Sequence, residues 1–155
     1  KRKSRGECMA RHYQPKTNNP YRLEHDLYMQ MFYKIRRYPT LIEERDKALY
    51  GAPPPSDGMP NGKGVTGNPT EKRALILMRI REDIEAIEQA MIYLRDKYRD
   101  TYTGEPFDPY ESFMDYGAFC YYRSKKGKNT APCERTWKRY RSEFAYIVAK
   151  KLNYF

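Results

Sequence analysis

The stretch that decides the fold runs from Asn68 to Tyr98, NPTEKRALILMRIREDIEAIEQAMIYLRDKY. It opens as a helix should: Asn68 can cap, Pro69 suits the first helical position, and Glu71 can reach back to the cap's backbone N–H. Leu77, Ile80, Ile84, Ile87, Met91, Leu94 and Tyr98 then recur at alternating spacings of three and four, a sustained heptad seam. Arg79, Glu82, Asp83, Glu85, Glu88 and Arg95 flank it with mixed charge, as on a solvated helix surface. At ~1.5 Å per residue, a helix over 69–99 is about 45 Å long, and a seam of that length requires a partner. The helical segment before it, folding back, is one candidate; a second copy in a homo-oligomer is the other.

Upstream, residues 21–50 carry Leu27, Met31, Ile35 and Tyr38 at helical spacing. Pro39 interrupts them, and Ile42 and Leu49 continue the stripe to Tyr50, which predicts one kinked helix or two. Between the helical segments, GAPPPSDGMPNGKGVTGN (51–68) is dominated by Gly and Pro and reads as a flexible loop. Its Gly62-Lys63-Gly64 lacks the G-x-x-x-x-G-K-[ST] order and the preceding strand of a phosphate-binding loop. Residues 1–20 are basic, without apolar periodicity, and read as a flexible arm. They begin without Met, so either Met9 is the natural start or residues precede Lys1.

Downstream, Asp108-Pro109-Tyr110-Glu111 repeats the cap, proline and acid order. A short helix is expected there, burying Tyr110, Phe113, Met114, Gly117 and Cys120 or Tyr121. A basic turn, Arg123 to Asn129, leads to a final helix from Cys133 to Leu152. No strand-like alternation occurs, so the expected fold is all-α. It comprises the arm 1–20, a helical hairpin over 21–100 with its loop at 51–68, and a C-terminal DNA-binding helical unit over 101–155.

Charge points to the partner. Thirty Lys and Arg against 20 acids give +10 and a pI near 9.5, and the excess sits at the two ends: +5 in 1–20 and +8 in 121–155. Cations placed on phosphates release condensed counterions, so a polyanionic partner is expected, and the C-terminal helix makes double-stranded DNA the expected one. On a helical wheel of 133–152, Trp137, Tyr140, Phe144, Ile147, Val148 and Lys151 share one side. Arg135, Lys138, Arg139 and Ser142 lie opposite, with Tyr146 continuing that side. A helix presenting such a face fits a major groove. Arg123, Lys125, Lys126 and Lys128 in the preceding turn are placed for backbone phosphates.

The C-terminal sequence ERTWKRYRSEFAYIVAKKLNYF also resembles the terminus of RinA/ArpU-type phage transcriptional regulators. Arg135, Thr136, Trp137, Arg139, Tyr140, Phe144, Val148, Ala149 and Leu152 carry the likeness. The wider layout is similar too, with Tyr38-Pro39, a Pro/Gly loop and Asn68-Pro69-Thr70-Glu71 opening a long helix. The resemblance implies a sigma-region-4-like helix-turn-helix that activates late phage genes in the bacterial cytoplasm, with host RNA polymerase as a second partner. It places Thr136, Lys138 and Arg139 near base edges or phosphates. One departure stands out: Ser124 to Pro132 is glycine-broken and proline-bearing, with little room for the usual scanning helix. Either a one-turn helix near Ala131 replaces that helix or the motif is degenerate.

Nothing argues for catalysis. His12 and His25 are the only histidines, and Cys8 with His12 is at most half a zinc site. Glu82, Asp83 and Glu85 belong to a balanced helix flank, and Asp108, Glu111 and Asp115 suit helix N-termini. No catalytic residue, metal or cofactor is expected. The odd count of three cysteines reads as reduced thiols. No apolar run approaches the ~20 residues that span a bilayer, and no signal peptide opens the chain. The 16 tyrosines suit protein contacts as well as base stacking. That leaves two alternatives to a regulator: a helical inhibitor or assembly factor that binds protein, and an oligomeric DNA-packaging or architectural protein.

Overall fold

A computed structural model describes residues 13–51, 69–99, 106–124 and 132–155. Among these there are six helices and no strand: α1 (His25–Arg36), α2 (Tyr38–Tyr50), α3 (Pro69–Tyr98), α4 (Pro109–Met114), α5 (Tyr116–Ser124) and α6 (Glu134–Lys151). The fold is all-α.

The seam of α3 faces inward along its length. Ile84, Ile87 and Leu94 are buried, and Leu77, Ile80, Met91 and Tyr98 are half-buried. Full burial of a side chain such as Ile87 or Leu94 stabilises the fold by about 1.5–3 kcal/mol. Its partners lie within the chain: α2 and α6 both pack on α3. Helix α1 runs antiparallel to it, since Tyr21, just before α1, meets Lys97 while Lys34 near its end grips Asp83 at 2.5 and 2.7 Å. The cap residue Asn68 lies outside the described residues, as do 1–12, the 52–68 connection and 100–105.

The kink expected in 21–50 is a break at Arg37. Pro39 then occupies the first turn of α2, where its missing N–H costs nothing. Met31 and Ile35 are buried as their spacing predicts, joined by Tyr28 and Phe32; Leu49, by contrast, is largely exposed.

The expected single helix after Pro109 is two helices, for a visible reason. Asp108 accepts the Glu111 N–H at 2.9 Å, capping α4 as predicted. Asp115 then turns extended and accepts the Ala118 N–H at 2.7 Å, so one residue ends α4 and caps α5. The break resets the helical phase. Phe113 is buried and Tyr110 half-buried as expected, but Phe119 and Ser112 take the remaining inward positions, whereas Met114, Gly117 and Tyr121 are exposed and Cys120 is half-buried.

Residue 100 does not separate two cores. Phe113 stacks on Phe32 with centroids 5.3 Å apart, and Tyr140 meets Tyr98 edge-on at 5.5 Å. Nor are residues 13–20 a free arm. The Gln14 side chain donates to the Leu23 carbonyl and accepts the Leu23 N–H, at 3.1 and 3.0 Å. Gln14 and Pro15 are buried, and Asn18 turns the chain at a φ of 54°, which Asn tolerates better than most residues. Residues 13–23 thus form a strap against the body.

Candidate nucleic-acid interface

Helix α6 begins at its cap residue Cys133, whose carbonyl accepts the N–H groups of Thr136 and Trp137. It ends at Leu152, followed by Asn153 in the left-handed conformation, with the Tyr154 N–H returning to the Ala149 carbonyl. These bounds match the expected helix.

Its surroundings differ from the two-faced helix the wheel suggested. Every residue from Tyr140 to Ala145 is buried, as are Val148 and Ala149, so the middle of α6 is enclosed on all sides. Three polar residues are buried with it, two in hydrogen bonds and Arg141 among aromatic rings, where its Nε–H meets no hydrogen-bond acceptor among the described residues. Arg141, 4 % exposed, lies 4.5 Å from the Phe32 ring, 4.6 Å from Trp137 and 5.2 Å from Phe113. Burial draws its pKa down, and it remains a guanidinium, stacked against three π-faces. Glu143, 3 % exposed, pairs with Lys97 and accepts from the Tyr98 hydroxyl at 2.7 Å. Burial first, and then that hydrogen bond, push the Tyr98 phenol well above its ordinary range. Ser142 is buried, its hydroxyl donating to the Lys138 carbonyl at 3.0 Å.

The residues expected to meet DNA therefore divide. Arg135 is exposed at the first turn. Thr136 is half-buried, its hydroxyl 3.3 Å from the Cys133 thiol, and that contact lowers the thiol pKa. Lys138 pairs with Glu134 at 3.0 Å, one turn away. Arg139 is half-buried and donates to the Thr17 carbonyl at 3.4 Å. Ser142, expected on the open face, is inaccessible. Arg123 is half-buried with its guanidinium 5.1 Å above the Tyr98 ring. Lys125, Lys126 and Lys128, and the one-turn helix considered near Ala131, lie outside the described residues.

The strap explains the difference. It lies along the side of α6 expected to face a groove: beyond Thr17 on Arg139, the Tyr21 ring meets Tyr146 at 5.6 Å, and Phe155 covers Tyr146 from the other direction at 5.1 Å. What remains accessible on α6 is its N-terminal third, with exposed Arg135 and the half-buried Lys138 and Arg139, and its last turn, with exposed Lys150 and Lys151. The strap places exposed Lys16 next to Thr17, whose carbonyl meets Arg139, a contribution the sequence pattern did not signal. Asn18, Asn19 and Pro20 are turn-formers, but nothing in their sequence signals that the segment docks.

Comparison with protein-family models, curated proteins and solved structures finds no match to the chain. Among the described residues, no three His, Cys, Asp or Glu side chains are grouped to hold a metal ion. Among the same residues, no helix is long and apolar enough to cross a membrane.

Proposed function

We propose that this protein is a DNA-binding transcriptional regulator that meets duplex DNA through the N-terminal third of α6, not through the length of that helix. The observation that carries the reading is that exposed Arg135 and the half-buried Lys138 and Arg139 share the N-terminal end of α6. Exposed Lys16 is next to the Thr17 carbonyl that Arg139 meets, and α6 lies in the region holding the chain's largest positive excess. Such an end suits the docking in which the first residues of a recognition helix reach base edges while neighbouring cations hold phosphates. The C-terminal resemblance supports a late phage promoter as the target and host RNA polymerase as the second partner.

The test is duplex binding by fluorescence anisotropy across a salt series. Affinity should fall with salt. Replacing Arg135, Lys138 or Arg139 by Ala should lower the slope of log K against log salt by about 0.9 for each phosphate that the side chain neutralises. The triple variant should no longer bind while keeping its helicity by circular dichroism. Affinity that is negligible and flat across the salt series overturns the reading. A preference for a late-promoter duplex over random sequence separates a regulator from an architectural protein.

A further inference from the structure

The first three turns of α3 are unlike the rest of it. Burial begins at Ile84, and no residue from Glu71 to Asp83 is buried. Yet this segment contains Ala74-Leu75-Ile76-Leu77-Met78, five consecutive apolar residues, which at about 100° per residue surround the helix. Leu77 turns toward the seam and is half-buried, while Leu75, Ile76 and Met78 are 52, 58 and 57 % exposed. A helix apolar on all sides and bare on most of them is one that another surface covers. The sequence 52–68 offers only Met59 and Val65 as large aliphatic residues for that purpose.

We propose that this segment is a homodimer interface, in which α3 packs antiparallel on its counterpart about a two-fold axis at Leu75. The charges choose both the occupant and the direction. Glu71 lies four residues before Leu75 and Arg79 four after, so the three share one helix face in the order acid, apolar, base. Neither Glu71 nor Arg79 makes an ion pair among the described residues. Antiparallel pairing about Leu75 sets Glu71 against the partner's Arg79 and Arg79 against the partner's Glu71, while Leu75 meets its own image. Such a surface is complementary to itself, as a two-fold interface must be. Parallel pairing instead sets acid on acid and base on base. The heptad seam takes no part, because α2 and α6 already cover it.

The inference is independent of DNA binding and is tested without DNA, by sedimentation velocity of the full chain over a concentration series. A monomer–dimer equilibrium is expected. Leu75→Glu should abolish the dimer, and because Leu75 is exposed the variant should keep its helicity. Glu71→Arg and Arg79→Glu should each weaken the dimer by about tenfold, since two modest surface pairs turn repulsive. The double variant, Glu71→Arg with Arg79→Glu, should restore it. A chain that stays monomeric at every soluble concentration overturns the proposal. So does an open-ended series of larger species, or a double variant no better than either single one.

Discussion

The Tyr98 hydroxyl donates to one oxygen of Glu143 at 2.7 Å while the neighbouring Lys97 pairs with the other. Consecutive residues at the end of α3 thus close on one buried carboxylate of α6. Glu143→Ala leaves the Tyr98 hydroxyl without its acceptor and should cost about 1–3 kcal/mol, in line with removing one member of a buried hydrogen-bonded group. Glu143→Gln, which keeps an acceptor, should cost less. Urea unfolding checks both, and equal midpoints for Glu143→Ala and the parent would show that the pair contributes nothing.

The same chemistry gives an alkaline limit to stability. Burial and the hydrogen bond to Glu88 push Tyr38 up to about 12, and burial and Glu143 raise Tyr98 further. In the unfolded chain both phenols ionise near their ordinary value of about 10. Their contribution is therefore complete below that pH and declines above it, as the unfolded state releases protons that the native state retains. For Tyr38 the decline levels off near 12. Unfolding midpoints measured across this range should fall, and Tyr38→Phe should fall less steeply. A parent protein with constant stability over that window contradicts the assignment.

Arg141 is held by the flat faces of Phe32, Trp137 and Phe113. Lysine keeps the charge but cannot stack a planar group on rings, so Arg141→Lys should destabilise by about 1–2 kcal/mol. Thermal melting with a full-length near-ultraviolet spectrum should show the loss together with a changed Trp137 signal. An unaltered melting temperature argues that the rings contribute little.

Ser142 distinguishes the interface from the core. Ser142→Ala should leave DNA affinity unchanged within error, because the hydroxyl is buried against the Lys138 carbonyl. Ser142→Glu should lower the melting temperature, since it places an uncompensated charge in the interior. If Ser142→Ala weakens DNA binding without loss of stability, the strap does not cover this side of α6 in solution.

Of the two described cysteines, Cys133 is exposed with a lowered pKa and Cys120 is half-buried, its thiol 3.8 Å from the Pro132 carbonyl. Near neutral pH the lowered pKa of Cys133 and its exposure should make it alkylate before the half-buried Cys120. Peptide mapping after limiting iodoacetamide reads the order, and Thr136→Val, which removes the hydroxyl contact, should slow Cys133.

Local patterns were legible in the sequence because their causes are local. The seam from Leu77 to Tyr98, the Asp108 cap and the bounds of α6 all follow from residues within a few turns of one another. The break at Asp115 was not legible, since a single Asp inside an apolar run reads as a surface residue until its side chain is seen to cap the Ala118 N–H. The candidate site was legible only at its tip. Ser142 reads as part of the polar side, and burying its neighbours Arg141 and Glu143 depends on rings and a lysine far away in the chain, at Phe32, Phe113 and Lys97. The strap carries no periodicity: one glutamine closes it over nine residues, and its hold on the body rests on Thr17 and Tyr21 meeting Arg139, Lys97 and Tyr146, distant in the chain.

Enclosing the middle of α6 on every side has a consequence in time. The elements that pack around it, α1, α3, α4 and α5, are all translated earlier. On the ribosome they emerge with Phe113 lacking Phe144 and Tyr98 lacking Tyr140. The native state must therefore wait for Tyr140 to Ala149 to leave the exit tunnel, and a nascent chain halted before them exposes much of its apolar surface. Any chaperone that attends this protein has its work concentrated in that interval.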